Sequence, residues 1–221
     1  MLELLGSRAQ VYRLLRDAFS YPLSQAVLTQ LDALQPDDGV APELREPLLV
    51  LQGVLHGPLQ GPELVEHLNL EYSRLIVGPG LPPAPPFGSY YRDAGHTLFG
   101  PETQAVARAY RQAGFEPGDP GTPADHIVLE LDFMAALADS FLVTVTDHRE
   151  AEAVAVLDTQ RGFLQNHLLP LGERFSESLA HATSQPFFTG VASLLYNYLT
   201  LDLALLGEIQ NRLGARSYSR T

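Results

Sequence analysis

The stretch GTPADHIVLELDFMAALADSFLV, residues 121–143, constrains the fold more than any other part of this chain. On a helical wheel Ile127, Leu131, Met134, Ala138 and Phe141 form one broad apolar face, and Leu129, Phe133 and Leu137 cover much of another. A helix that is apolar most of the way round has to be surrounded, so it belongs in the middle of a bundle. Thr122, with Pro123 at the first helical position and Asp125 two residues later, resembles a capping box with an acidic third residue, which predicts a helix from about 123 to 145. Polar side chains enter this helix at its start. His126 and Glu130 stand at i and i+4 and interrupt the flank made by Phe133 and Leu137. Burying such groups is expensive without partners. They read either as a cap (Asp125) with a mutual His126–Glu130 hydrogen bond, or as a ligand-contacting site.

Helical periodicity dominates the rest of the chain, and strand-like alternation is scarce. A first helix is expected over about 3–19, carrying Leu5, Tyr12, Leu15 and Phe19 on one face. Ser24 can cap a second, Pro42 opens a third through Leu55, and Pro62 opens a fourth that Gly78 ends. Further helices are expected from Pro101 to Gly114, from about His148 to Leu169, within 171–182, and from near Pro186. The last has Phe188, Val191, Leu195, Tyr198 and Leu205 on its core face. The fold class is therefore all-α, a single-domain helical bundle of about eight to eleven helices spanning 1–207, with 208–221 as a flexible tail.

What the chain lacks narrows its chemistry. It has no cysteine, and all 14 basic residues are arginine, so thiol chemistry, a P-loop lysine and Schiff-base catalysis are excluded. There is no Gly-x-Ser-x-Gly elbow and no Glu-x-x-His pair of the kind a di-metal bundle uses. The net charge of −12 repels nucleic acid. No run of eighteen apolar residues suggests membrane insertion, and the N-terminus lacks a secretory pattern, so a cytoplasmic protein is expected. These absences point to a binding protein, without catalytic residues, metal or cofactor.

One connection stands out. LIVGPGLPPAPPFGSYYRD, residues 75–93, places five prolines between two helical stretches and follows them with aromatics. Prolines fix φ, so such a segment forms a preset wall with little ordering entropy left to lose on binding. Leu75, Pro85, Pro86, Phe87, Tyr90 and Tyr91 are its candidate contact residues.

In combination, EYSRLIVGPGLPPAPPFGSYYRD, GPETQAVARAYRQAGF, PADHIVLELDFMAAL, QPFFTGVASLLYNYL and VYRLLRDAFSYP resemble, in order, motifs of the TorD/DmsD family of redox-enzyme maturation chaperones. The resemblance covers most of residues 9–205. One departure is that the family often has a glutamate between the last loop proline and Ser-x-Tyr, where this chain has Phe87-Gly88. The resemblance implies a cytoplasmic, non-enzymatic chaperone with a TorD-like fold. It implies that the partner is the twin-arginine signal peptide of a molybdenum- or tungsten-cofactor oxidoreductase precursor, held until the cofactor is loaded. Some members form domain-swapped homodimers. The chemistry of such a peptide, two cations followed by an apolar stretch, calls for carboxylates beside an apolar groove. Asp125 and Glu130 are the candidate carboxylates, the proline-loop residues the apolar wall, and His126 a group that orients a carboxylate or makes binding pH-sensitive. Two alternatives stay open: a helical metal-binding protein using His126 and Glu130, and an assembly factor that binds a folded client, as the related nitrate-reductase chaperones do.

Overall fold

The computed structural model describes residues 2–218 except 38, 93–95 and 119–120, with side chains described from 5 to 213. Its helices are α1 (Leu2–Ala18), α2 (Gln25–Asp32), α3 (Pro42–Leu55), α4 (Gly61–Tyr72), α5 (Gly88–Arg92), α6 (Pro101–Gln112), α7 (Ile127–Thr146), α8 (Glu150–Phe163), α9 (Leu169–Ala182) and α10 (Pro186–Tyr218). Two π-helical turns, Ser73–Val77 and Leu164–Leu168, extend α4 and join α8 to α9. Among the described residues there is no strand, only one isolated antiparallel bridge, Phe87 with His126. The all-α expectation holds.

The apolar helix does occupy the centre. α7 packs along α1 on one side and α8 on the other, while α10 lies against α9, α3 and α8. Ile127, Leu131, Phe133, Met134 and Phe141 of α7 are all buried. Tyr110, Phe115, Phe133 and Phe163 pack ring on ring with centroids 4.7–5.9 Å apart, tying α6, α7 and α8 together. On α10 the expected core face is corrected at one position. Leu205 is half-buried and Leu206 takes the core place, because the buried stripe steps by four from Asp202. By length and mean hydropathy (1.2), Pro186–Leu213 would qualify as a membrane span, but half of that window is buried in the bundle. α10 continues through Tyr218, and residues 219–221 of the expected tail lie outside the described residues.

Two helix boundaries differ from the sequence reading for physical reasons. α7 begins at Ile127 and not at Pro123, because residues 123–126 are committed elsewhere. The Gly88 N–H donates to the Asp125 carbonyl (2.9 Å) and the Ile127 N–H donates to the Pro86 carbonyl (2.8 Å). His126 is accordingly extended (φ −74°, ψ 134°) and is itself the N-cap, its ring Nδ1 accepting from the Val128 N–H at 3.1 Å. Thr122 is therefore not the N-cap of α7. The second correction concerns 164–170, where α8 runs through a π-turn into α9 without a break. Pro170 brings no N–H to that turn, and the Asn166 carbonyl accepts instead from the Arg92 guanidinium.

Candidate functional site: a proline-walled groove with carboxyls behind it

The proline loop closes on itself before it meets α7. The Gly78 N–H donates to the Ser73 carbonyl at 2.7 Å, and Gly78 has a left-handed φ of 53°, which favours glycine and ends the helix as expected. The Ala84 N–H then donates to the Leu75 carbonyl at 2.9 Å, folding the prolines back over the π-turn. From Pro86 the loop pairs with the residues leading into α7.

That short bridge decides which side chains face where. Paired residues of a bridge point to one side and their neighbours point to the other. Phe87 and His126 project together, their rings 5.1 Å apart and 81° to each other. Gly88 and Asp125 face the opposite way, into the protein. On the outer side Phe87 and His126 help to line a groove of about 690 Å³. Pro85 and Pro86 continue this wall, Ile76 and Val77 supply the π-turn side, Val128 and Leu129 the floor from α7, and Phe19 and Tyr21 the far edge. Of the lining residues, Leu81 (66%), Tyr21 (55%) and Val77 (51%) are the most solvent-exposed large apolar ones. No carboxylate is among its lining residues. Burial pulls the His126 imidazole down to about 4 against the opposing pull of Asp125, so the ring is neutral at pH 7.

On the inner side lies a cluster of three carboxyl groups around Gly88. A Cβ at Gly88 would lie 3.4 Å from Glu102 Cγ, 3.6 Å from Asp125 Cβ and 3.7 Å from Glu130 Oε1. Asp125 and Glu130 are both fully buried. Asp125 Oδ2 accepts from the Ser89 N–H at 2.7 Å, whereas Asp125 Oδ1 and both oxygens of Glu130 have no hydrogen-bond partner among the described residues. Glu102 is better served, by Arg92 at 2.9 Å and by His167 Nδ1 at 2.6 Å. Burial raises the Glu102 carboxyl, but the His167 hydrogen bond and the His167 and Arg92 charges outweigh it and hold it below its usual range. Burial, with Glu102 and Asp125 nearby, pushes the Glu130 carboxyl well above its usual range. The Tyr110 hydroxyl, also raised by burial beside Glu130 and Asp125, donates to the Ala124 carbonyl at 2.8 Å and anchors the turn from behind.

Of the residues singled out from sequence, Pro85, Pro86, Phe87 and His126 stand together on the groove. Leu75 is buried and is not among the lining residues. Tyr90 and Tyr91 lie off it in α5, edge to face with each other at 5.1 Å, with Tyr90 also against His96 at 4.5 Å. Asp125 and Glu130 sit behind the wall and not on it, because the bridge turns Asp125 inward. The His126–Glu130 side-chain hydrogen bond does not form, since the His126 ring caps its own helix and Glu130 points at Gly88. Among the described residues no three His, Asp or Glu side chains are arranged to hold a metal ion. Sequence reasoning missed the opposite edge, Phe19, Tyr21, Ile76 and Val77. The aromatics of AFSYP beside Pro22 were its one available signal.

The family model for the nitrate reductase delta subunit matches residues 37–177. Chaperone protein TorD of Aliivibrio salmonicida is 23% identical over 205 residues, 90% of this chain and 94% of that protein. The Tat proofreading chaperone DmsD of Salmonella typhimurium is 29% identical over 130 residues, 58% of this chain and 57% of that protein. The crystal structure of a redox enzyme maturation protein from Archaeoglobus fulgidus has the same fold, with a TM-score of 0.53 and 20% identity over 87% of this chain and 93% of the other. With the motif order, the helical bundle and the family model in agreement, this chain belongs to the TorD/DmsD family of redox-enzyme maturation chaperones.

Proposed function

We propose that this chain is a cytoplasmic chaperone, without catalytic activity, that assists maturation of a molybdenum- or tungsten-cofactor oxidoreductase by holding its precursor through the twin-arginine signal peptide. The observation that carries this reading is the groove walled by Pro85, Pro86 and Phe87, open to solvent and lined mostly by apolar side chains. An amphipathic segment finds there a preset surface whose prolines lose little freedom on binding. The apolar stretch of the signal lies in the groove, and its arginines lie toward the acidic groups beyond Phe87 and His126. In this reading 1–207 forms the chaperone domain, and a domain-swapped homodimer is tested by light scattering on the purified protein. An assembly factor for folded client differs in one respect: it binds the client after its signal is removed.

The test is titration calorimetry with the signal peptide of the oxidoreductase precursor that co-purifies from the native host. Leu81, exposed on the groove, is the variant of choice, because Leu81→Asp leaves the core untouched. Wild type binds the peptide, and Leu81→Asp weakens it by about tenfold or more. Equal affinities remove the peptide from this groove. Binding of the client only after its signal is cut off replaces the signal-peptide reading with the folded-client one.

A further inference from the structure

We propose that the carboxyl cluster around Gly88 is a guanidinium-binding site whose occupant in the free chain is Arg92, so that α5 carries a built-in competitor for an arginine-bearing partner. The signal-peptide reading supplies the partner; the site itself rests on geometry. Glu130 is completely buried, aims a carboxyl oxygen at the space beside the Gly88 Cα, and has no partner on either oxygen. Buried carboxyl groups in folded proteins are normally hydrogen-bonded, so an orphan among three carboxyls marks a place for a missing donor.

Arg92 fills that place only partly. Its fork is divided, one nitrogen on Glu102 Oε2 at 2.9 Å and the other on the Asn166 carbonyl. A full arginine–carboxylate pair makes two parallel bonds to one carboxylate. Arg92 therefore leaves three acceptor oxygens unserved, Asp125 Oδ1 and the two of Glu130. Its side chain is 39% exposed where that of Glu102 is 8%, so the guanidinium closes the cluster from its solvent side. A guest guanidinium brings five N–H donors in a planar fork and can reach carboxyls that a single-point ammonium cannot satisfy together. The selectivity expected of the site is arginine over lysine. Gly88 leaves the space beside Glu130 Oε1 unfilled, and a Cβ there would sit in ordinary contact with Glu102, Asp125 and Glu130.

The experiment uses the full chain and argininamide as probe, titrated by calorimetry into wild type, Arg92→Ala and Arg92→Lys, each checked for helicity by circular dichroism. Arg92→Ala binds argininamide about tenfold or more tightly than wild type, Arg92→Lys falls between them, and lysinamide binds far more weakly. Adding Glu102→Gln to Arg92→Ala abolishes the gain. Equal affinity in wild type and Arg92→Ala, or a gain that survives Glu102→Gln, overturns the proposal. The two readings fail separately. Argininamide binding to Arg92→Ala without signal-peptide binding to wild type supports the cation site and removes the signal peptide. Signal-peptide binding with no response to Arg92 does the reverse.

Discussion

Where α1, α8 and α10 meet, Arg8 grips Asp202 through two nitrogens at 2.6 and 2.9 Å and Gln160 at 2.7 Å, and the Tyr12 hydroxyl donates to the same carboxylate at 2.7 Å. Around Gly88, by contrast, Asp125 and Glu130 are as deeply buried but keep three oxygens without partners. The first set is an architectural joint between residues 194 apart in sequence. Burial alone would depress the Arg8 guanidinium, yet the Asp202 hydrogen bond and charge raise it above its usual range, so the guanidinium stays charged. In the second set burial prevails and pushes the Glu130 carboxyl well above its usual range. A group that lowers stability where it stands is the kind that persists for binding.

The largest effect expected from this contrast is at the Arg8–Asp202 joint, where Arg8 Nη1 alone of the four side chains' polar atoms lacks a partner among the described residues. Asp202→Ala strands a buried guanidinium and lowers unfolding free energy by about 3–5 kcal/mol in urea titration. The double variant Arg8→Met with Asp202→Leu recovers most of that loss, because an apolar pair leaves no stranded charge. A loss below about 1 kcal/mol for Asp202→Ala would mean the joint is not architectural.

Next comes Glu130→Met, with the opposite sign: removing an unpartnered buried carboxyl stabilises the fold by about 1–3 kcal/mol at pH 8. The pH dependence checks the cause. Glu130 titrates higher folded than unfolded, so its stabilising contribution is complete below its ordinary value of 4.5 and is lost as pH rises through the folded value. Its neighbours in this are Glu102 from α6, Asp125 before α7, Arg92 from α5, His167 from the π-turn and Tyr110 from α6. His126 has the other sign. Its folded value of about 4 lies below the usual 6.5, so its contribution is present above pH 6.5 and is lost as pH falls toward 4. In Glu130→Met the loss on the alkaline side disappears and the acid side remains. If Glu130→Met destabilises the fold at pH 8, Glu130 has a partner and the contrast fails.

A smaller effect separates the two roles of His126. His126→Ala removes the ring that caps α7 and costs about 1 kcal/mol, and His126→Asn restores most of it by capping in the same way. Both lose the Phe87 ring contact, so both weaken signal-peptide binding; a peptide affinity unchanged in His126→Asn would confine His126 to its helix.

Much of this is legible in the sequence. The central place of α7 follows from its all-round apolarity, the end of the π-turn that extends α4 from Gly78, and the wall formed by Pro85, Pro86 and Phe87 from the run of prolines. The side on which Asp125 falls was not legible, because it depends on a single bridge with a segment about 40 residues earlier, and such pairing leaves no local pattern. The later start of α7, at Ile127 and not after Thr122, has the same cause: the Gly88 and Ile127 backbone bonds outweigh the local signal. Arg8 and Asp202 carry no sign of each other in sequence, since each looks like one polar residue on an amphipathic helix.

Gly88 gives the smallest stability change and the sharpest test of what the second cluster is for. Its backbone is not left-handed, so glycine is not needed there for its φ. An added methyl meets Glu102, Asp125 and Glu130 at 3.4–3.7 Å, close to ordinary contact, and stiffens the unfolded chain. Gly88→Ala should therefore change unfolding free energy by no more than about 0.5 kcal/mol. The same methyl occupies the space in front of Glu130 Oε1, so argininamide binding to Arg92→Ala should fall when Gly88→Ala is added. Gly88→Glu, which restores a carboxylate near where the family often has one, brings a fourth acid to the cluster and lowers stability at pH 8 far more than alanine does. Unchanged argininamide binding in the alanine variant would show that the space beside Gly88 is packing slack, and that the two buried clusters differ in finish but not in purpose.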